Sequence, residues 1–397
     1  MRRILLLLVA LVATFAHAAS EYPPRYRWQT ITTPHFFVHF HQGEEELARR
    51  AAGLAEEIHA RITPLMRYEP RERTHLILTD HVDASNGSAS TFPQNRIEIY
   101  VSAPGADPSS PLEHYDNWLN LVITHEYAHI LHLDQARGFS GLLRRVFGRH
   151  PVAFPNQFSP LWMTEGLATV VESEATDAGR LKGTFVEMVL RTAALEGRWP
   201  SPARAGGLTA HWPGGNARYF FGASFLAWVA RREGAQNLGR YFNEYSANVL
   251  PYRVNATAED VFGESINELW RDWSADVLRE YREDETRISA EGITPRERLT
   301  TLGYETKYPL LSPDGTRLAY THRGPYERST IRVRDLASNR DVATLPVNNI
   351  SSISWSRDGT TIAFAQLEYH RTFELLSDVY LWTPGRAARR VTRGARV

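Results

Sequence analysis

The order of apolar and polar residues divides the chain into stretches of different period. Between Trp28 and about Pro104, short apolar runs alternate with one long helical pattern. Phe36-Phe37-Val38-His39-Phe40 is aromatic and β-branched, which predicts a strand. Glu44 to about Met66 carries Leu47, Ala51, Leu54, Ile58 and Ile62 near a 3.6-residue period, which predicts an amphipathic helix that Pro64 helps to stop. His75–Thr79 and Ile97–Val101 read as two further strands, separated by a loop containing Asn86-Gly87. From Tyr115 to about Glu285 helical spacing takes over, clearest at Asn117–Asp134, Thr164–Glu174, Lys182–Glu196, Ala217–Arg232 and Glu259–Tyr281. The last of these presents Val261, Leu269, Trp270, Trp273 and Val277 as an apolar stripe, the mark of a core-facing helix rather than of a ligand box.

After a polar stretch near 287–298 the period shortens to strands and turns. Leu311-Ser312-Pro313-Asp314-Gly315-Thr316-Arg317-Leu318-Ala319-Tyr320 recurs as Trp355-Ser356-Arg357-Asp358-Gly359-Thr360-Thr361-Ile362-Ala363-Phe364, with Asp314 and Asp358 44 residues apart. A repeat of that length with several strands per unit is the signature of a β-propeller blade, and each Asp-Gly pair predicts a tight turn into a strand. The two units resemble the periplasmic TolB-like propellers. A closed ring usually needs at least four blades, so the expectation is an incomplete propeller. The simpler source is the front part of a longer chain, the other a ring completed by a partner.

Composition narrows the chemistry. The chain has 397 residues, 43% of them hydrophobic, and no cysteine. A core of useful size needs no staples at that length. The missing thiols exclude disulfide scaffolds, thiolate zinc sites and cysteine nucleophiles. Forty-five basic side chains balance 45 acidic ones, which argues against a nucleic-acid or other polyanion binder. Arg2 and Arg3, the apolar run from Ile4 to about Ala16, and Ala16-His17-Ala18 describe a secretory signal peptide over residues 1–18. The run is shorter than a membrane span, and nothing downstream reaches spanning length. The expectation is an exported protein, most simply periplasmic.

The reactive pattern is His125-Glu126-Tyr127-Ala128-His129. Histidines four apart project from one helix face and can share a metal, and the glutamate between them can take a proton from metal-bound water. Uncharged Val122, Ile123, Thr124, Ile130 and Leu131 flank the motif, as a buried helix requires. A catalytic zinc has three protein ligands and an open position. The residue nine after Glu126 is Gln135, so the metzincin third histidine is absent, and Glu165 in Thr164-Glu165-Gly166-Leu167-Ala168 is the better candidate.

These two helices together resemble the gluzincin metallopeptidases, the thermolysin and aminopeptidase-like group, in which a Glu-Gly-x-Ala helix supplies the third ligand. Thirty-five residues separate His129 from Glu165, about twice the number in the best-known members, so roughly Gly138–Phe158 is expected to loop out. Its segment Leu142-Leu143-Arg144-Arg145-Val146-Phe147 is basic and amphipathic, and reads as packing, a lid or a membrane-touching edge. Tyr219-Phe220-Phe221-Gly222 is similar to the Tyr-x-x-Gly segment of the aminopeptidase-like gluzincins. The resemblance implies that Tyr219 donates a hydrogen bond to the reaction's oxyanion. The Gly-x-Met-Glu-Asn segment of those enzymes is not found, which leaves an endopeptidase open. His132, Glu172 and His211 are weaker candidates: a polar neighbour of the site, an orienting partner for a zinc-bound histidine, and a substrate-side group.

The resemblance thus implies a multidomain protein. An α+β zincin-like metallopeptidase domain occupies 19–286, with a mixed α/β part over 19–104 and a mainly helical part over 105–286. A linker over 287–299 and the incomplete all-β propeller over 300–397 follow. One Zn2+ would be held by His125, His129 and Glu165, with Glu126 as base and Tyr219 beside the oxyanion. The substrate would be a protein or peptide, with strand Ile97–Val101 as the sheet edge on which it pairs. The propeller would restrict entry or recruit an envelope partner. Two other readings stay open: an inert peptidase fold serving as a binding platform, and a zinc hydrolase of a non-peptide substrate.

Overall fold

The computed structural model describes residues 21–105, 112, 114–150, 153–207, 210–248 and 253–396. The expected signal peptide lies outside them. The first part contains β1 (Trp28–Thr32), β2 (Phe36–His41), α1 (Glu45–Met66), β3 (Thr74–Thr79), β4 (Gly87–Ser90) and β5 (Arg96–Tyr100). The strands form one mixed sheet in the order β1-β2-β3-β5-β4, parallel across β2, β3 and β5 and antiparallel at both edges. Phe36, Val38, Leu76, Leu78, Ile97 and Ile99 are fully buried. Ala48, Ala51 and Ala55 are buried on α1 beside Ile58 and Ile62, small residues that allow a helix to lie close to its neighbours. Pro64 sits within the last turn of α1, which ends at Arg67 in the left-handed region (φ 51°).

Two expectations about this sheet are corrected. The stretch after Asn86 is not simply loop: Gly87–Ser90 forms β4, paired antiparallel with β5. Ile97–Val101 is therefore not an edge, because β5 lies between β3 and β4. The free edge on that side belongs to β4.

The helical part runs α2 (Trp118–Leu133), α3 (Gly138–Phe147), α4 (Leu161–Ala175), α5 (Thr184–Leu195), α6 (Pro202–Gly206), α7 (Ala217–Glu233), α8 (Ala235–Tyr245), α9 (Val254–Phe262) and α10 (Ile266–Ala290). Apart from Asn120 and Leu133, every residue of α2 is buried, the state of a helix enclosed on all sides. Asn117 caps it, accepting from the Asn120 N–H at 3.4 Å. The single helix expected over 259–281 is two. Gly263 ends α9 at φ +81°, and Ser265 with Glu268 forms a capping box that starts α10. Val261 therefore belongs to a separate helix from Leu269, Trp270 and Trp273. α10 continues to Ala290, beyond the expected start of the linker.

The stretch between His129 and Glu165 is not a plain loop. It holds α3 and a short 3-10 turn at Pro155–Phe158. Phe139, Leu142, Val146 and Phe147 of α3 are exposed, so packing does not explain its apolar face. Arg144 is held by Asp134 at 2.8 Å.

The C-terminal part consists of two four-stranded antiparallel meanders. The first is β6 (Glu305–Leu311), β7 (Arg317–Arg323), β8 (Thr330–Asp335) and β9 (Arg340–Pro346). The second is β10 (Ile350–Trp355), β11 (Ile362–His370), β12 (Glu374–Trp382) and β13 (Arg389–Arg390). The repeated turns work alike. Gly315 and Gly359 take φ +71° and +66°, while Asp314 and Asp358 accept from the N–H groups of Thr316 and Thr360 at 3.1 and 3.0 Å. The meanders share a small core that includes Ala319, Val333, Ile362, Phe364 and Trp382. Among the described residues the two meanders close no ring.

The second meander is pinned to the loop after β3. Asp83 N–H donates to Leu375 O at 2.8 Å and Leu375 N–H to His81 O at 2.9 Å. Arg396 pairs with Asp80 and Asp83. No described helix is long and apolar enough to cross a membrane.

Candidate active site

The crossing of α4 and α7 sets the site. A Cβ on Gly166 would lie 2.5 Å from the Gly222 carbonyl carbon, and one on Gly222 would lie 2.0 Å from the Trp162 oxygen. Only glycine fits at either position. Gly166 therefore opens the way for α7, and the Glu-Gly and Tyr-x-x-Gly segments meet glycine to glycine. That contact carries Glu165 and Tyr219 to one wall of a cleft of about 280 Å³. α2 supplies His125, Glu126 and His129, β4 supplies Gly87, Ser88 and Ala89, and Asn86 lines the cleft just before β4.

β4 lies almost on top of the motif. A Cβ on Gly87 would stand 2.7 Å from Glu126 Oε1 and 2.7 Å from Val122 Cγ2. The glycine lets the free sheet edge and the Glu126 carboxylate share one cleft.

The three candidate ligands converge. Glu165 Oε2 is 3.5 Å from His125 Nε2 and 3.2 Å from His129 Nε2, and all three atoms lie within 4.8 Å of one another. Two bonds of 2.0–2.1 Å at a tetrahedral angle span about 3.3 Å, close to both distances. His125 Nδ1 is 2.7 Å from Glu172 Oε2, so with that N–H donated to the carboxylate its Nε2 lone pair faces the cluster. Two imidazole nitrogens and a carboxylate oxygen suit zinc.

Charge is arranged around the same point. Burial and Arg180 oppose a charged imidazole at His125, yet hydrogen bonds to Glu165 and Glu172 hold its pKa up at about 9. Burial raises Glu165, but hydrogen bonds from the two histidines outweigh it and hold the carboxyl far below its ordinary range. Both shifts have the same source, the pairing of the imidazoles with the neighbouring carboxylates. Burial pushes the Glu126 carboxyl up, and burial with the nearby Glu165 charge raises the Tyr219 phenol.

The weaker candidates separate. Glu172 is fully buried and is the orienting partner of His125. His132 is buried against Phe242 at 4.9 Å between ring centroids, and neither ring nitrogen has a hydrogen-bond partner. It is not among the cleft residues. His211 lines a different cavity, beside Trp199 and Trp212. No described residue of 138–158 lines the cleft, so α3 is not a lid over it.

Arg180 went unseen in the sequence. Its Nη1 lies 3.4 Å from Glu172 Oε2 and 3.1 Å from Thr169 Oγ1, and its guanidinium stands 4.7 Å from the Tyr219 ring centroid. Arg218 also reaches the site, with Nε 3.9 Å from Glu165 Oε1. The one local signal for Arg180 is Gly179 (φ +109°), where a Cβ would strike Ser173 Oγ at 2.5 Å.

No protein-family model matches the chain, and no curated protein matches it. Among solved structures, it is similar to an M1 zinc metallopeptidase from Deinococcus radiodurans, at 15% identity and a TM-score of 0.33, over 62% of this chain and 51% of that one. A mutant of that peptidase bound to a Tyr-Ser-Ala substrate gives 15% identity and a TM-score of 0.35 over the same shares. A two-domain M1 zinc metallopeptidase mutant bound to L-tryptophan gives 16% and 0.31, over 63% of this chain and 51% of that one. The chain spans about half the length of these proteins. Overlap at that level assigns it to no family.

Proposed function

We propose that the chain is a zinc-dependent peptidase that hydrolyses protein or peptide substrates in the cell envelope. The supporting observation is the cleft itself. His125 Nε2, His129 Nε2 and a Glu165 oxygen meet within 4.8 Å, and Glu126 and a free sheet edge line the same space. Zinc held by those three atoms supplies a Lewis acid that polarises a carbonyl and makes water a nucleophile near neutral pH.

The remaining work falls to the chain's own residues. β4 hydrogen-bonds to β5 on one side, so its other edge can pair with an extended peptide and lay the scissile bond over Glu126. Glu126 takes a proton from the attacking water on its carboxylate and returns it to the leaving amine. Tyr219 donates its phenolic proton as a hydrogen bond to the developing oxyanion, a contribution of about 3 kcal/mol for one good donor. Arg180 over the Tyr219 ring and against Glu172 holds both the phenol and the His125 partner in place. Recognition through backbone pairing needs no free terminus, so we favour an endopeptidase.

We also propose export to the periplasm, on the basic and apolar leader over 1–18. N-terminal sequencing of the exported protein should begin at Ala19. The function is tested with unfolded casein as substrate. The purified protein should cleave it, and both a strong chelator and His125→Gln should stop cleavage, with zinc restoring only the chelated sample. Absence of cleavage by the zinc-loaded protein would count against peptidase activity.

A further inference from the structure

Helix α3 projects an apolar face that no described residue covers. Phe139, Leu142 and Val146 follow one another at helical spacing, and Leu143 and Phe147 form the next row. Val146 is 65% and Phe147 72% exposed, and Phe139 and Leu142 are exposed beside them. The helix itself is held firmly. Ser140 Oγ donates to Asn248 O at 3.2 Å, and the Arg137 N–H donates to Ser246 O at 3.1 Å. Arg144 and Arg149 reach the buried Asp134 at 2.8 and 2.9 Å, and both guanidiniums stand over the Phe154 ring. The face is thus displayed on a fixed mount and is not the product of a fraying end. Beside it a hollow of about 300 Å³ is lined by Leu143, Phe147, His150 and Ala153.

The charge around this face has one sign. No acidic residue occurs between Asp134 and Glu165, whereas Arg137, Arg144, Arg145 and Arg149 all do. Asp134, together with Glu72 at 3.5 Å from Arg149 Nη1, offsets Arg144 and Arg149. Arg137 donates to the neutral Asn243 side chain, and neither it nor Arg145 has a carboxylate partner among the described residues. At about 100° per residue, Arg145 borders the stripe beside Leu142, while Ser140 and Arg144 lie on the border that meets the protein. We infer that α3 seats the protein on an anionic lipid surface. The stripe enters the boundary between headgroups and acyl chains, and Arg145 and Arg137 meet the lipid phosphates. An amphipathic helix with phenylalanine and leucine on one face and arginine at its margin has the makeup of an interfacial anchor. A second copy of the chain fits the face less well, because a two-fold contact sets the same arginines against each other. No described residue of α3 lines the cleft, so the lipid seat does not rest on the peptidase reading.

The test is co-sedimentation of the exported protein, freed of its leader, with vesicles of phosphatidylcholine alone or in equal mixture with phosphatidylglycerol. The chain has no net formal charge, so attraction to the mixed vesicles has to come from a local patch. The wild-type protein should sediment with the mixed vesicles, far less with the neutral ones, and less as salt rises. Val146→Asp and Phe147→Asp change exposed side chains, and an unchanged thermal midpoint checks that the fold stands. Each should weaken partition into the mixed vesicles by more than about tenfold, the loss of one buried apolar side chain. Arg145→Glu should narrow the preference for anionic over neutral vesicles. A folded wild-type protein that stays in the supernatant with mixed vesicles, or a Phe147→Asp protein that binds them as tightly as wild type, would overturn the lipid seat. So would a solution dimer that Phe147→Asp dissolves and that leaves no protein on the vesicles, because the face would then join two copies of the chain.

Discussion

Replacing Gly87 with alanine should separate the sheet edge from the catalytic carboxylate without touching a metal ligand. The added methyl would stand 2.7 Å from Glu126 Oε1, 2.8 Å from Glu126 Cγ and 2.7 Å from Val122 Cγ2. Nonbonded carbons rest about 3.5–4.0 Å apart, so roughly 0.8 Å must be found. α2 is buried along nearly its whole length, whereas β4 is paired on one side only. Either β4 moves outward or the Glu126 side chain turns away. Overpacking of this kind costs about 1–3 kcal/mol, a drop of a few degrees in thermal midpoint for a region of this size. The activity loss should be larger in proportion, because misplacing a reacting group by about 1 Å costs up to 100-fold. The assay is kcat/KM on a quenched-fluorescence peptide, with zinc content and thermal midpoint measured on the same preparation. The expected result is a fall of about 30–100-fold in kcat/KM at unchanged zinc content. A Gly87→Ala protein that cleaves within about twofold of wild type would refute the close packing of β4 on Glu126.

Three further outcomes follow from the same geometry. Glu172→Gln removes the carboxylate that accepts from His125 Nδ1, and zinc affinity, measured by competition with a chromophoric chelator, should fall 10–100-fold. Gly222→Ala would drive a methyl to 2.0 Å from the Trp162 carbonyl oxygen. Denaturant unfolding should show at least about 1–3 kcal/mol of lost stability, with Tyr219 and Glu165 pushed apart. His132 is held down at about 3 by burial and then by nearby His129, against about 6.5 when unfolded. Its folded pKa is depressed, so the neutral form is favoured in the native state. The stability it permits is complete above about pH 6.5 and is lost as pH falls toward 3. His132→Leu should flatten that acid slope of at most about 1.4 kcal/mol per pH unit, read from urea unfolding at pH 7 and pH 5.

What could be read in advance depended on how local the signal was. His125, Glu126 and His129 share one helix, and their i, i+4 spacing alone brings the two rings together. Glu165 required a second motif, and its partnership with α2 depends on packing that no spacing rule records. Gly166 opens α4 to a close neighbour, and that neighbour is Gly222 of α7. β4 was missed because Gly-Ser-Ala-Ser has no apolar alternation: its place comes from the pairing partner, not from its own residues. β1 is exposed at four of five positions and carries a similarly weak pattern. The single helix expected over 259–281 passed over the capping box of Ser265 and Glu268, and no helix was expected over 235–245, although Leu238, Tyr241, Phe242 and Tyr245 keep helical spacing. Arg180 was not legible, because it reaches the site only after the turn at Gly179 folds back on Ser173. The two Asp-Gly turns announced both meanders, while closure of a ring depends on contacts beyond one repeat.

The most direct measurement compares Glu126→Gln with wild type, recording zinc content and casein cleavage on the same samples. Glutamine keeps the shape of the side chain and removes its capacity to accept the proton, while His125, His129 and Glu165 remain. The account predicts equal zinc content and a rate reduced by at least about 100-fold, in keeping with the loss of a general base. Equal zinc content with cleavage close to the wild-type rate would contradict the assignment of Glu126 as the base, and with it the mechanism proposed for this cleft.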